Sequence, residues 1–206
     1  MDPMSTDFRD LDRRAADFYL TFVAQVKPAD LALATPCADW TLHGLLRHQV
    51  SQDEGFAAAA RGDGGDLQVW RNGSLGDDPH AAARASLDLV TGAFAEEGVP
   101  DRPFLMPEVA DRPVPGRMAV SFHFVDLVVH AWDVAATLGL PWEPSAEMLE
   151  ASLAVAALVP TDDATRGPGL AFDRTVPAPE DVSPGDRLLT LLGRSPSWVP
   201  SQYRWR

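Results

Sequence analysis

The sequence predicts an all-α fold, a helical bundle with one long crossover. Apolar residues recur every three or four positions over four long stretches. A connection rich in proline, residues 100–116, separates the third stretch from the fourth and is too long for an ordinary turn. Strand-like alternation is confined to one short candidate near residues 170–176, and there is no internal repeat.

The first helix is expected over residues 5–26, with Phe8, Leu11, Ala15, Phe18, Phe22 and Val26 on its apolar face. Ser5 or Thr6 would cap it, and Pro28 stops it. A loop carrying Thr35, Pro36 and Cys37 leads to a second helix that opens at Asp39 or Thr41 and runs to about Arg61. The Gly/Asp-rich stretch 62–66 then reads as a mobile link. Asp78 and Pro79 form the start of a third helix, with Ala83, Leu87, Val90 and Phe94 inward and Gly98 as its stop. The fourth, over residues 117–138, is the most apolar, and Gly139 closes it. An additional helix is expected over 145–159. An irregular Pro-rich C-terminal segment follows, with a short amphipathic helix at 186–192. Residues 1–160 would form the bundle, and 161–206 an extension packed on it within the same domain.

The chain has 206 residues with 17 Lys+Arg against 30 Asp+Glu, a formal net charge of −13. With no basic stripe, such a surface repels a phosphate backbone, so nucleic acid is not an expected partner. The apolar runs are interrupted by Asp, His or Arg short of the ~20 residues that cross a bilayer, so no membrane association is expected. The N-terminus lacks a basic stretch followed by an apolar one, which points to a cytoplasmic protein. The single cysteine, Cys37, excludes an internal disulfide framework and a Cys-rich zinc site, and reads as a small packed residue.

The chemistry is concentrated in the fourth helix, where His123, Asp126, His130 and Asp133 interrupt a run of aromatic, aliphatic and small residues. At 100° per residue, Asp126 and His130 stand about 40° apart and one turn apart in height. Four ionisable groups on a buried stripe are costly unless paired or metal-bound. An acid and an imidazole four residues apart can reach one divalent ion; they can equally form a buried hydrogen-bonded couple that specifies packing. His48, set among apolar residues of the second helix, is the best third ligand. His43 lies about 140° round that helix and reads as facing solvent, and His80 as exposed. Trp40 and Trp132 are expected to pack the helix ends.

Thr35-Pro36-Cys37-Ala38-Asp39-Trp40-Thr41, Leu45-Leu46-Arg47-His48, Asp126 through Asp133, and the C-terminal stretch from Val176 to Arg194 resemble the DinB-like metalloproteins of the mycothiol-dependent maleylpyruvate isomerase group. The likeness spans about residues 8–196. It implies a DinB-like four-helix bundle whose metal ligands, a His on the second helix and acid-x3-His on the fourth, fall on His48, Asp126 and His130. The isomerases carry Glu where this chain has Asp126, shorter by one methylene. The ion is therefore open: zinc first, with nickel, iron or manganese as alternatives. Three protein ligands leave a coordination position vacant, the catalytic arrangement. The resemblance further implies mycothiol as thiol cosubstrate and a small electrophilic substrate, in an isomerase or S-transferase. The alternatives are a metal-containing small-molecule binding protein, a metal-dependent hydrolase, or an interaction module with a structural metal or none. His123 would be an extra ligand, a supporting donor or an acid/base facing substrate. Asp133 would either receive the second nitrogen of a ligand histidine or cap a neighbouring loop. Gln52 would face the pocket or lie on a solvated helix face, and Arg47 and Arg117 would pair with a carboxylate of substrate or cofactor or stand as surface arginines. The crossover and residues 166–182 would build the pocket. Monomer and homodimer are both compatible with the sequence.

Overall fold

The computed structural model describes residues 3, 5–37, 40–162, 166–167, 173–179 and 181–200. The four periodic stretches are the helices α1 (Arg9–Val23), α2 (Leu42–Ala60), α3 (Pro79–Phe94) and α4 (Gly116–Leu138), followed by α5 (Ala146–Ala156) and α6 (Pro184–Leu191). α1 packs on α3 and α4, and α2 packs on the same two, so the four close into a ring. This is an all-α, DinB-like bundle.

Local chemistry sets the helix ends. Thr41 Oγ1 accepts from Gly44 N at the start of α2 and Asp78 from Ala81 N at the start of α3, while Ser145 and Ser183 do the same for α5 and α6. Gly139, at φ 70°, ends α4 in the left-handed conformation that favours glycine. α1 departs from expectation: it begins at Arg9, with no side-chain cap from Ser5 or Thr6. Asp7 instead accepts from the backbone N–H of Arg9 at 3.1 Å and also binds its guanidinium, which turns the chain just before the helix.

The stretch 62–66 is not a free link. Gly64 is buried and its carbonyl accepts from Trp70 Nε1 at 2.8 Å. That bond holds the buried indole against α2, where it packs edge-on to Phe56, ring centroids 5.2 Å apart. The crossover also has structure of its own. β1 (Pro103–Phe104) pairs antiparallel with β2 (Val114–Pro115), closing the base of the loop between them. Of the expected strand near 170–176, residues 170–172 lie outside the described residues, and 173–176 are irregular, tied by Val176 N–H to the Thr190 carbonyl.

α4 is long and apolar enough to cross a membrane by length and composition, but 83% of its most apolar window is buried within the bundle. It is the core helix, with α1 and α2 against it and α5 covering a further side. α6 packs on α5, and the buried Arg166 ties the C-terminal segment together by donating to the carbonyls of Pro160, Asp173 and Leu191.

Gly55 offers a test of this packing. An alanine Cβ there would stand 2.4 Å from the Trp70 ring. Helix propensity favours Ala by about 1 kcal/mol, while overpacking a core costs about 1–3 kcal/mol. Gly55→Ala is therefore expected to lower the unfolding free energy, measured by denaturant titration followed on tryptophan fluorescence; a stabilised variant would contradict the packing.

Candidate metal centre

Because α2 lies against α4, His48 on the first meets Asp126 and His130 on the second. One donor atom from each of the three lies within 4.8 Å of the other two. Ligand atoms around a tetrahedral ion stand about 3.4 Å apart, so the three donors lie within about 1.4 Å of the spacing an ion needs. His130 Nε2 is 3.3 Å from Asp126 Oδ1, and the rings of His48 and His130 meet edge-on at 5.6 Å. Trp40 lies against His48, ring centroids 4.3 Å apart and tilted by 34°, and so restricts that imidazole.

The electrostatics suit a cation. Burial, with His130 beside it, pushes His48 down to about 4, so at neutral pH it is a neutral imidazole with a lone pair to give. Burial works against charge on Asp126, but His130 outweighs it and holds the carboxyl well below its usual range. Burial also opposes charge on His130, yet Asp126 and Asp133 raise it well above the ordinary value. His130 Nε2 and the Asp126 carboxylate thus face one another across 3.3 Å, where a divalent ion would take both as ligands. Asp126 Oδ2 is buried without a hydrogen-bond partner, the kind of atom a cation would satisfy. The residues present fit a metal.

Asp133, one turn beyond on α4, accepts from His130 Nδ1 at 2.9 Å, which leaves Nε2 to face the candidate centre. Arg194, from the segment after α6, donates to the same Asp133 oxygen at 3.1 Å, and Cys37 Sγ lies 3.3 Å from it. Cys37, His130 and Asp133 also have donor atoms close enough to hold an ion. There, however, the Arg194 guanidinium already stands 3.4 Å from the sulfur and 3.1 Å from the carboxylate, and a second cation would meet its repulsion.

His123 is placed elsewhere. It is fully buried, its Nδ1 is 2.6 Å from Asp12 Oδ1 and its Nε2 is 3.1 Å from Asp53 Oδ1. Both ring nitrogens are therefore engaged away from the His48/Asp126/His130 set. Asp53 in turn accepts from Gln49 Nε2 at 2.8 Å and Ser86 Oγ at 2.6 Å, and the rings of Phe56 and Phe94 seal the imidazole edge-on. Burial alone would keep His123 neutral, but Asp12 and Asp53 outweigh it and raise it to about 10.

Of the residues expected to bind cofactor or substrate, Gln52 is buried one turn after His48 and donates to Glu108 of the crossover at 3.2 Å. Arg71 binds the other Glu108 oxygen, so the loop 105–113 is tethered beside α2. Arg47 is exposed and donates to the Arg71 carbonyl at 3.3 Å. Arg117 pairs with Asp101 and donates to the Pro100 carbonyl, bracing the start of the crossover; these bonds do not bring it to the three-residue set. His43 is exposed and His80 partly so. Sequence reasoning passed over Asp12, Arg194 and the contact of Cys37. Only the buried position of Asp12 on the apolar face of α1, beside Leu11 and Ala15, marks it in the sequence.

Fold and site together define a DinB-like helical bundle carrying a two-histidine, one-carboxylate candidate metal set. The chain belongs to the mycothiol maleylpyruvate isomerase N-terminal domain family, which it matches over residues 13–135, a span that holds all three residues of the set. Two relatives, uncharacterized proteins MT0763 and Rv0738 of Mycobacterium tuberculosis strains CDC 1551 / Oshkosh and ATCC 25618 / H37Rv, are each 30% identical over 203 residues, covering 95% of this chain and 99% of theirs. No solved structure matches the chain significantly.

The His123 cluster makes a pH prediction. Its folded value of about 10 lies above the unfolded 6.5, so its stabilisation is complete below about 6.5 and is lost as pH rises through about 10. Unfolding free energy should therefore fall between pH 7 and 10.5, and fall less in His123→Met. Parallel pH profiles for the two proteins would show that the imidazole is not charged in the core.

Proposed function

We propose that this protein is a metal-dependent enzyme that activates a low-molecular-weight thiol of the mycothiol type for attack on a small electrophile, in the cytoplasm. The observation that carries the reading is the convergence of His48, Asp126 and His130 within 4.8 Å, with a buried Asp126 oxygen left unpartnered. Membership of the mycothiol maleylpyruvate isomerase N-terminal domain family supports the thiol. His48, Asp126 and His130 would hold the ion. A bound divalent ion would supply the Lewis acidity that keeps a thiol deprotonated at neutral pH.

The chain's own residues prepare that chemistry. Trp40 and burial keep His48 oriented and neutral. Asp133, fixed by Arg194, holds the proton of His130 on Nδ1 and so aims Nε2 inward. The Glu108 tether draws the crossover over α2 one turn from His48, where it would help exclude water from substrate. The thiolate sulfur forms a bond to an electrophilic carbon. Displacement of a leaving group, which departs with the bonding pair, or addition followed by return of the thiol's proton to the resulting carbanion, gives S-transfer; addition, bond rotation and elimination of the thiolate give isomerisation.

Elemental analysis of purified protein beside His130→Ala checks the metal: the wild type should carry about one equivalent and the variant far less, since loss of a ligand should cost at least the roughly 10–100-fold in affinity that loss of a supporting partner does. With chlorodinitrobenzene, whose chloride leaves as the sulfur bonds to the ring, turnover is expected with mycothiol and not with glutathione. Equal metal in both proteins, or no rate above background with any cellular thiol, would contradict the proposal.

A further inference from the structure

His123 and the four side chains bonded around it join all four helices of the ring. Asp12 comes from α1, Gln49 and Asp53 from α2, Ser86 from α3 and His123 itself from α4, and every one of them is buried. Their bonds run without interruption: Asp12 to His123 Nδ1 at 2.6 Å, His123 Nε2 to Asp53 at 3.1 Å, then Gln49 and Ser86 to the two Asp53 oxygens at 2.8 and 2.6 Å. An imidazole held at both nitrogens cannot turn, so α1 and α2 are fixed relative to α4 through one rigid ring.

The position of this ring relative to the candidate centre is the informative part. On α2, Asp53 follows His48 by five residues, about 7.5 Å along the helix axis; on α4, His123 precedes Asp126 by three, about 4.5 Å. Position 48 thus faces 126 and 130 while 53 faces 123, two successive cross-links between antiparallel helices. Gln49 lies next to His48 in the chain and is itself bonded into the network. An apolar set of the same volume would hold the helices together at least as strongly as buried charges do. It would not fix their register, because apolar contacts lack direction and hydrogen bonds have it.

We propose that Asp12, Asp53 and His123 are positioning residues for the candidate metal centre: they lock α2 against α4 one turn away from it, and so set the distance from His48 to the Asp126/His130 pair. The inference rests on the metal-centre reading. A shift of one helix along the other by a fraction of a turn would move the His48 imidazole out of reach of a cation held by Asp126 and His130, while leaving the bundle folded.

The experiment is zinc affinity by competition with a chelating dye, with the visible spectrum of the cobalt(II)-loaded protein as a second readout. Asp53→Leu, which cuts the α2–α4 bond, is expected to weaken zinc binding at least about tenfold and to alter the cobalt spectrum. Asp53→Asn can still accept from His123 and Gln49 and should stay within about threefold of wild type. Val155→Ala, a core truncation on α5, controls for lost stability and should leave both readouts unchanged. The triple variant Asp12→Leu/His123→Met/Asp53→Leu removes every charge of the cluster and is expected to fold, yet to bind zinc at least about tenfold more weakly.

Wild-type affinity in Asp53→Leu or in the triple variant would overturn the proposal, as would an equal loss in Val155→Ala. A triple variant that cannot fold would make the network a requirement of the fold itself and overturn it as well. Each of these leaves the metal centre standing, provided that wild-type protein binds zinc and His130→Ala does not. Wild-type protein with no His130-dependent zinc site would remove the metal-centre reading, and the positioning role with it.

Discussion

The middle of a largely buried helix that still carries four ionisable groups must have each of them answered by a partner. That constraint governs α4. His123, His130 and Asp133 are at most a few per cent exposed, and Asp126 keeps one oxygen wholly out of solvent. An unpaired charge in such surroundings costs several kcal/mol, a large share of the stability of a whole domain. Asp12 and Asp53 on α1 and α2 answer His123, Arg194 beyond α6 answers Asp133, and within α4 itself Asp133 and Asp126 answer His130. The helix order around α4 and the docking of the C-terminal segment both follow from this matching. Asp126 is the group left incompletely answered, and His48 is the neutral donor that faces it.

The same matching divides α4 into two zones with different tasks. Toward its N-terminal half, every hydrogen-bonding position on the imidazole is filled and aromatic rings exclude water. Around Asp126 and His48 the side chains are partly open, with the Asp126 side chain 30% exposed, and donor atoms converge without completing one another. A closed zone gives rigidity; an open, unsatisfied one gives a place for a ligand. The short aspartate side chain keeps this carboxylate close to α4, 3.3 Å from His130 Nε2.

Much of this was legible before any coordinates. Periodicity marks the helices because a two-sided environment imposes it, and Asp78, Ser145 and Gly139 act at helix ends as their chemistry requires. The spacing of Asp126 and His130 was readable because both lie on one turn of one helix. His123 was not: its spacing from Asp126 puts it on the same side of α4, and nothing local shows that Asp12, a hundred and more residues away, claims its ring. Arg194 was hidden for the same reason, since a surface-type residue in an irregular tail becomes a buried partner only through tertiary packing. Arg117 drew notice from its place beside the crossover, but Asp101 satisfies it locally.

The account stands on a cation, rather than a proton, being the natural partner of His48, Asp126 and His130. X-ray absorption at the zinc edge of the loaded protein tests this most directly. Two imidazole nitrogens and a carboxylate oxygen at about 2.0–2.2 Å, with no sulfur in the absence of added thiol, are the result this account predicts. A sulfur scatterer near about 2.3 Å would place the ion at Cys37 instead, and a spectrum without histidine scattering would leave the three residues with no metal to share.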